Sequence, residues 1–389
     1  MSMRQLAEAI KPYIIEQRRF LHANPELSKM EVETTKHIVE ELQSLGVEVQ
    51  TFSDITGCVG TIKGASEGPT IMLRADIDAL PIQESNEVAY ASKNAGVMHA
   101  CGHDCHTAML LGAANLLMAQ KDKIAGTVKL LFQMGEEVGT ESRRYVERGV
   151  LQDVNAIFGM HIWSLLEAGT VNIDDGERMA CSDRFTIKVK STSADIALPE
   201  QGADGILAAS AIVVALQSLV TRYKTVEDTL VVSVCQMNGG NAVDSLADTV
   251  ELVGTTRAFN RELREKLPTL IENIATQAAS IYGCEVACEY VFGPAPLINE
   301  HIPLNDLARK AAAAVMGEEA LVPMIKEMGA EDFSVYLEHV PGVFAFLGAR
   351  NKEKGICCVH HASNFDVDED VLPSGSALYA EFALQYLKQ

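Results

Sequence analysis

The sequence predicts a discontinuous α/β domain with a buried, largely parallel sheet, interrupted by a smaller ferredoxin-like α+β domain. Three observations carry that expectation. Near-continuous apolar runs over 70–73, 127–132 and 156–160 alternate with helical periods, as strands buried on both faces do. From Asp183 the rhythm changes to the order β-α-β-β-α-β, which is that of a ferredoxin-like unit. After Pro294 the first rhythm returns, so the expected parts are 1–182, 183–293 and 294–389, the middle one being the insert.

Apolar residues at helical spacing predict helices over 3–23 and 30–45. The three strands follow, with a helix over 107–120 between the first two. In the insert, Phe185, Ile187 and Val189 alternate as in a half-exposed strand. A helix over 205–223, strands over 229–236 and 249–259, a helix over 270–281 and a strand over 285–292 complete it. The last part carries helices over 304–316 and 332–337, a strand over 343–347 and a final helix from Ser374.

Composition bounds the function. The 389 residues, 48% hydrophobic and 22% charged, supply apolar material for more than one core. With 32 Lys and Arg against 53 Asp and Glu, the formal charge of -21 repels phosphate backbones and anionic lipid surfaces, which argues against nucleic-acid partners. The first twenty residues carry charges throughout, and no uninterrupted apolar run approaches the length of a membrane span. Nine scattered cysteines do not make a disulfide framework. A soluble cytoplasmic protein with reduced thiols is therefore expected.

Chemistry is concentrated in point motifs. Four ligand-rich segments follow apolar runs or lie beside them: RADIDALP (74–81), HACGHDCH (99–106), GEE (135–137) and GMH (159–161). A fifth, VHHASNFDVDED (359–370), comes after the insert. Ligands collect at the carboxyl ends of strands in open α/β sheets, so these segments are expected to meet there. Their residue types are those of a transition-metal site: a thiolate at Cys101, imidazoles at His103, His161 and either His360 or His361, and carboxylates at Asp76, Asp78, Glu136 and Glu137. Sulfur and imidazole together argue against a magnesium or calcium cage. The adjacent glutamates can divide their labour, one coordinating metal while the other takes a proton from water. Each motif alone has a blander reading, because glutamate pairs lie on solvated faces and Asp-x-Asp can end a strand in a turn. His106, on the first turn of a helix, is expected to make structural hydrogen bonds rather than ligate. His22, His37, His99, His301 and His339 lack ligand-rich surroundings, and Cys284 and Cys288 fall on a strand without a partner pair.

The constellation resembles the amidohydrolase branch of the M20 metallopeptidase family, which includes N-acyl-amino-acid amidohydrolases, hippurate hydrolases and auxin-conjugate hydrolases. The matching segments are RRFLHANPELSKMEVETT, LRADIDALPI, MHACGHDCHTAMLLGAA, LLFQMGEE, GMHIW, GTTRAF, EMGAEDFSVYLEHVPGVFAFLG and FDVDEDVLP, spread over almost the full length. The resemblance implies a two-metal, aminopeptidase-like catalytic domain with an inserted ferredoxin-like lid that mediates homodimerisation. It implies that Cys101 bridges two divalent ions, that His103, Glu137, His161 and a late histidine complete their shells, and that Glu136 is the general base. His361 fits the family's H-x-x-x-F spacing to Phe365 better than His360 does. Asp78 then orients a metal-bound group or tunes the base. The metal is Mn, Zn, Co or Ni according to supply, and the substrate a small-molecule amide cleaved to a carboxylate and an amine.

The lid departs from the family pattern. Where the family reads GKGGHGAxPHxGxDPI, this chain has STSADIALPEQGADGI from Ser191, placing Asp195 and Glu200 at the two histidine positions. Where the family reads GGTAxNVIPD, GGNAVDSLAD from Gly239 puts Asp244 in place of asparagine, while Arg257 remains. In the family the first histidine reaches a neighbouring subunit's site and helps hold the oxyanion and the substrate's acidic end. The substitutions point to an altered specificity, for a substrate bearing a cation near its leaving group, with Asp195, Asp244 and Arg257 as substrate-binding candidates. The alternatives are a dipeptidase or N-acyl-amino-acid hydrolase of ordinary range, and a metal-binding protein that has lost catalysis.

Overall fold

The computed structural model describes residues 1–388. Along the chain the elements are helices α1 (Met3–Ala9), α2 (Lys11–Ala23) and α3 (Val32–Ser44), strands β1 (Glu48–Thr51), β2 (Cys58–Lys63) and β3 (Ser66–Asp76), α4 (His103–Met118), β4 (Ala125–Gln133), α5 (Ser142–Glu147), β5 (Ala156–Glu167), β6 (Val171–Asn172) and β7 (Gly176–Met179). Then come β8 (Asp183–Lys190), α6 (Gly205–Leu216), α7 (Ser218–Arg222), β9 (Leu230–Gly239), β10 (Thr249–Ala258), α8 (Arg261–Ser280) and β11 (Glu285–Val291). The chain closes with β12 (Leu297–Asn299), α9 (Ile302–Met316), α10 (Ser334–Leu337), β13 (Gly342–Arg350) and α11 (Leu372–Tyr386). Two compact units group these elements. One holds Met1–Gly176, Ile298–Ile325 and the residues from Val335 onward; the other holds Glu177–Leu297 with Lys326–Ser334. The segment 326–334, placed by sequence in the closing part of the α/β domain, thus groups with the insert.

In the larger unit seven strands lie in the order β1-β2-β4-β3-β5-β13-β6. The central four, β4, β3, β5 and β13, run parallel, while β1, β2 and β6 pair antiparallel at the margins. The expectation of a largely parallel sheet therefore holds only for its centre. Of the marginal strands, β1 escaped because it is mostly exposed and carries no apolar run. The first helix is two: Pro12, near the start of α2, has no N–H to donate and its ring would clash with the preceding turn, so the chain breaks at Ile10. α4 is buried along almost its entire length and packs against α2 and α11, with its N-terminus against the central strands β3 and β5.

A buried ionic network braces that N-terminus. Arg18, fully buried, donates to Asp104 (2.9 Å), Asp366 (3.1 Å) and Glu369 (3.1 Å). His22, which the sequence places in bland surroundings, bridges Asp104 (2.7 Å) and Glu84 (3.1 Å). Burial works against charge on His22, and Asp104 and Glu84 outweigh it, raising its pKa. The partners are 62 to 351 residues apart in sequence, beyond any local pattern.

In the smaller unit four antiparallel strands lie in the order β11-β8-β10-β9, and the chain order is β-α-β-β-α-β. Phe185, Ile187 and Val189 of β8 and Val250 and Leu252 of β10 meet Ala208, Ala209, Ile212 and Leu216 of α6 and Leu267 and Ile271 of α8. α8 begins nine residues before the expected 270. Asn260 caps it by accepting from Leu263 N, and Arg264 in its first turns clamps Asp183 with bonds of 2.9 and 2.7 Å, which outweighs the helix-breaking Pro268. The helical run 205–223 is interrupted at Gln217. By length and composition Gly205–Arg222 could cross a bilayer, yet Ala208, Ile212, Leu216 and Leu219 are spent on this unit's core. Cys284 and Cys288 pack in or against that core, and all nine cysteines are unpaired.

Candidate metal centre

Most candidate side chains are delivered by the ends of central elements, His361 by the chain between β13 and α11. β3 terminates at Asp76, and the extended chain beyond it carries Asp78. Gly102 caps α4 in a left-handed conformation (φ +92°), where an added Cβ would lie 2.4 Å from Ile162 Cγ2. Only glycine turns the chain this closely against β5. Cys101 precedes that turn and His103 opens the helix, earlier than the expected start at 107. His106 remains on the first turn. β4 leads into Gly135, also left-handed (φ +65°), and the short turn Glu136–Val138. His161 sits inside β5 opposite Phe346 rather than beyond the strand end, because β5 runs on to Glu167.

These segments converge. Cys101 Sγ lies 3.5 Å from His161 Nε2 and 3.4 Å from His361 Nε2. Glu137 reaches His361 Nε2 at 3.7 Å and His103 Nε2 at 3.8 Å. Donors 2.0–2.3 Å from a tetrahedral ion stand roughly 3.3–3.7 Å from one another, so the Cys101–His161, Cys101–His361 and Glu137–His361 spacings suit ligands sharing an ion. Two donor sets, Cys101-His103-His161 and Cys101-Glu137-His361, have Cys101 in common. Glu136 joins His103 and Glu137 in a third. His103 Nε2 and Glu137 Oε1 are buried and have no hydrogen-bond partner, an arrangement costly in a finished core and natural for metal ligands.

The histidine tautomers agree with that use. His161 Nδ1 lies 2.6 Å from its neighbour's carbonyl, Ile162 O, so Nδ1 carries the proton and Nε2 presents a lone pair. His103 Nδ1 donates in the same way to Asp78 Oδ1 at 3.2 Å. His106 has no free nitrogen, since its Nε2 accepts from Ile162 N (2.8 Å) and its Nδ1 donates to Asp76 Oδ1 (2.5 Å). His360 Nε2 is likewise occupied by Ser164 N at 3.1 Å. Of the two late histidines, it is His361 that brings a nitrogen to the Cys101 sulfur.

The electrostatics favour a cation. Burial opposes a charge on His103, yet Asp76, Asp78 and Glu137 raise its pKa to about 10. Burial pushes Glu137 up to about 7, with His103 opposing. The Cys101 thiol is raised well above its ordinary value by burial and by the Glu137 and Glu136 carboxylates. Anionic donors that repel one another in a dry pocket are relieved by a divalent ion, which inverts this balance.

The expected lid residues are arranged differently. Asp195 forms an isolated bridge with Ser245, and Ile196 N donates to Asp244 O at 3.0 Å, so the two acids stand side by side, both exposed, just before β10. Asp195 Oδ1 is engaged by Ala197 N at 2.8 Å. Arg257 lies near the opposite end of β10, eight residues past Thr249, a separation of about 26 Å at about 3.3 Å per residue. Within one chain Arg257 therefore does not pair with either acid. Sequence reasoning also missed Ser28 and Glu31, which contact the site from the N-terminal segment. Ser28 Oγ donates to Asp78 Oδ2 at 2.6 Å, and Glu31 Oε1 accepts from Gly135 N at 2.9 Å.

Comparison with known proteins bears on this arrangement. The profile of peptidase family M20/M25/M40 matches residues 72–385. The chain is 40% identical over 375 residues to the IAA-amino acid hydrolase ILR1-like 4 of Arabidopsis thaliana, covering 95% of this chain and 84% of that one. It is 38% identical over 370 residues to the N-acetyl-L-cysteine deacetylase of Bacillus subtilis (strain 168), covering 95% and 87%. Among solved structures, the Bacillus subtilis YXEP protein, described as a dinuclear metal-binding peptidase of the M20 family, superposes with a TM-score of 0.87 at 36% identity, covering 98% of this chain and 99% of that one.

Proposed function

We propose that this chain, which belongs to the M20/M25/M40 peptidase family and is a metal-dependent amidohydrolase, cleaves the amide bond of small N-acylated amino acids. The observation that carries the reading is the sulfur of Cys101 shared by two donor sets beside the Glu136-Glu137 turn. Cys101, His103 and His161 would hold one divalent ion, and Cys101, Glu137 and His361 a second. Bound ions of this kind acidify a water and polarise the scissile carbonyl. Glu136, not needed as a ligand in either set, accepts the proton of the attacking water and passes it to the leaving nitrogen. Asp78 holds His103 by its Nδ1 and so presents Nε2. A carboxylate and an amine leave the site. The printed names of the relatives, a hydrolase of IAA-amino acids and a deacetylase of N-acetyl-L-cysteine, support an acylated amino acid as substrate. The donor set accepts Mn, Zn, Co or Ni, and nine unpaired thiols support a reducing compartment such as the cytoplasm.

The adjacent acids Asp195 and Asp244 in the smaller unit support a finer reading, a preference for substrates with a cation or a neutral amide where an ordinary N-acyl amino acid has its carboxylate. On that reading the metal-loaded wild type cleaves an N-acetyl amino acid amide faster than the free acid, and Asp195→His reverses the order. Equal preference in both proteins would return the chain to the ordinary family range. A metal-loaded wild type with no turnover on N-acyl amino acids, dipeptides or their amides would leave only a metal-binding role.

The same unit supports a homodimer. Ile206, Leu207 and Val214 of α6 are 45, 49 and 74% exposed, and β9 is an edge strand of its sheet. Apolar side chains beside an unpaired edge are covered in a second copy at little cost. Light scattering at micromolar concentration is expected to give twice the chain mass, and a monomer mass would rule the dimer out.

A further inference from the structure

We propose that Glu31 is a positioning residue that locks the turn carrying Glu136 and Glu137, an inference that rests on the amidohydrolase reading above. Three consecutive backbone N–H groups at this turn are each donated to a buried carboxylate. Gly135 N bonds Glu31 Oε1 (2.9 Å), Glu136 N bonds Asp78 Oδ1 (3.1 Å) and Glu137 N bonds Asp78 Oδ2 (3.1 Å). The turn is bounded by two left-handed glycines, Gly135 at φ +65° and Gly139 at φ +71°. Glycine has more backbone freedom than any other residue, so what fixes the hinge at Gly135 bears on where both glutamates point.

Glu31 is placed for that task and is not spent on its own helix. It stands immediately before α3, yet makes no side-chain cap to that helix. Glu26 serves the first turn instead, accepting from Glu33 N (3.2 Å) and Thr34 N (2.8 Å). The Glu31 carboxylate is fully buried, and besides Gly135 N it accepts from Lys29 N (3.0 Å) and Thr56 Oγ1 (2.5 Å). Its burial raises its pKa to about 7, a cost that a helix start alone would not justify. Three residues earlier Ser28 donates to Asp78, so one segment braces both carboxylates that hold the turn.

The test uses the full-length, metal-loaded protein with Glu31→Ala and Glu31→Gln. Loss of an outer partner that orients ligands typically costs about 10–100-fold. Glu31→Ala is expected to lower kcat on an N-acetyl amino acid in that range, with KM changed less than about twofold and metal content equal to wild type. Glu31→Gln, whose oxygen accepts from Gly135 N and whose amide donates to Thr56 Oγ1, restores kcat to within about threefold of wild type. The visible absorption of the cobalt-loaded protein is expected to change in Glu31→Ala and return in Glu31→Gln. If the alanine variant does not fold, Glu31→Asp withdraws the carboxylate from Gly135 N and should show the same kcat loss. Wild-type kcat and spectrum in Glu31→Ala or Glu31→Asp, or a glutamine variant as impaired as alanine, overturns the proposal. An inactive wild type overturns the amidohydrolase reading alone, and the cobalt spectra then decide the role of Glu31.

Discussion

Glu136→Gln is expected to leave the bound metal unchanged and to lower turnover by about 10²–10⁴-fold, the usual worth of a general base. Glutamine has nearly the same shape, so the backbone bond from Glu136 N to Asp78 and the packing of a side chain only 9% exposed are retained. What is lost is the ability to take a proton. Because neither donor set built around Cys101 contains Glu136, a pure base role predicts that kcat falls while metal stoichiometry stays constant. Steady-state kinetics beside metal analysis of the same preparation makes the comparison. A variant that turns over at the wild-type rate would remove Glu136 from the chemistry, whereas one that has shed an ion would move it into the ligand shell.

Cys101→Ala is expected to have the widest effect of any single ligand change, because the side chain belongs to both donor sets. His161 and His361 each approach its sulfur within 3.5 Å, and no other side chain among the described residues occurs in both sets. Removing it leaves each ion with two protein donors, too few to hold it against solvent. His161→Ala or Glu137→Ala should by contrast deplete one ion more than the other. Metal content after desalting, measured for all three variants, distinguishes the cases. Full stoichiometry in Cys101→Ala would mean that the thiolate is not a shared ligand, and unchanged content in all three would dismiss the assignment as a whole.

Much of the site was legible because its chemistry is local in sequence. A glutamate pair three residues past an apolar strand, and a Cys-x-His before a helix, carry their meaning in spacing and residue type. Residues that only hold the site were harder to find. In sequence Asp76 is one more acid, and the first-turn position of His106 predicts structural hydrogen bonding without naming its partners. That His106 spends both nitrogens on Asp76 and Ile162 N, and so cannot ligate, follows from the crossing of β3, α4 and β5. Glu31 looks in sequence like a residue at a helix start, and its bond to Gly135 spans 104 residues.

The amino-acid sequence by itself determined the alternation of strands and helices, the change of rhythm at Asp183 and the types of donor available, since periodicity and side-chain chemistry are properties of short stretches. The tertiary structure decided which late histidine faces Cys101 and the separation of Arg257 from Asp195 and Asp244 along β10. The reason is geometric. Strand register and helix packing set distances between residues hundreds of positions apart, and a metal site or an ion pair depends on ångströms that no local pattern encodes.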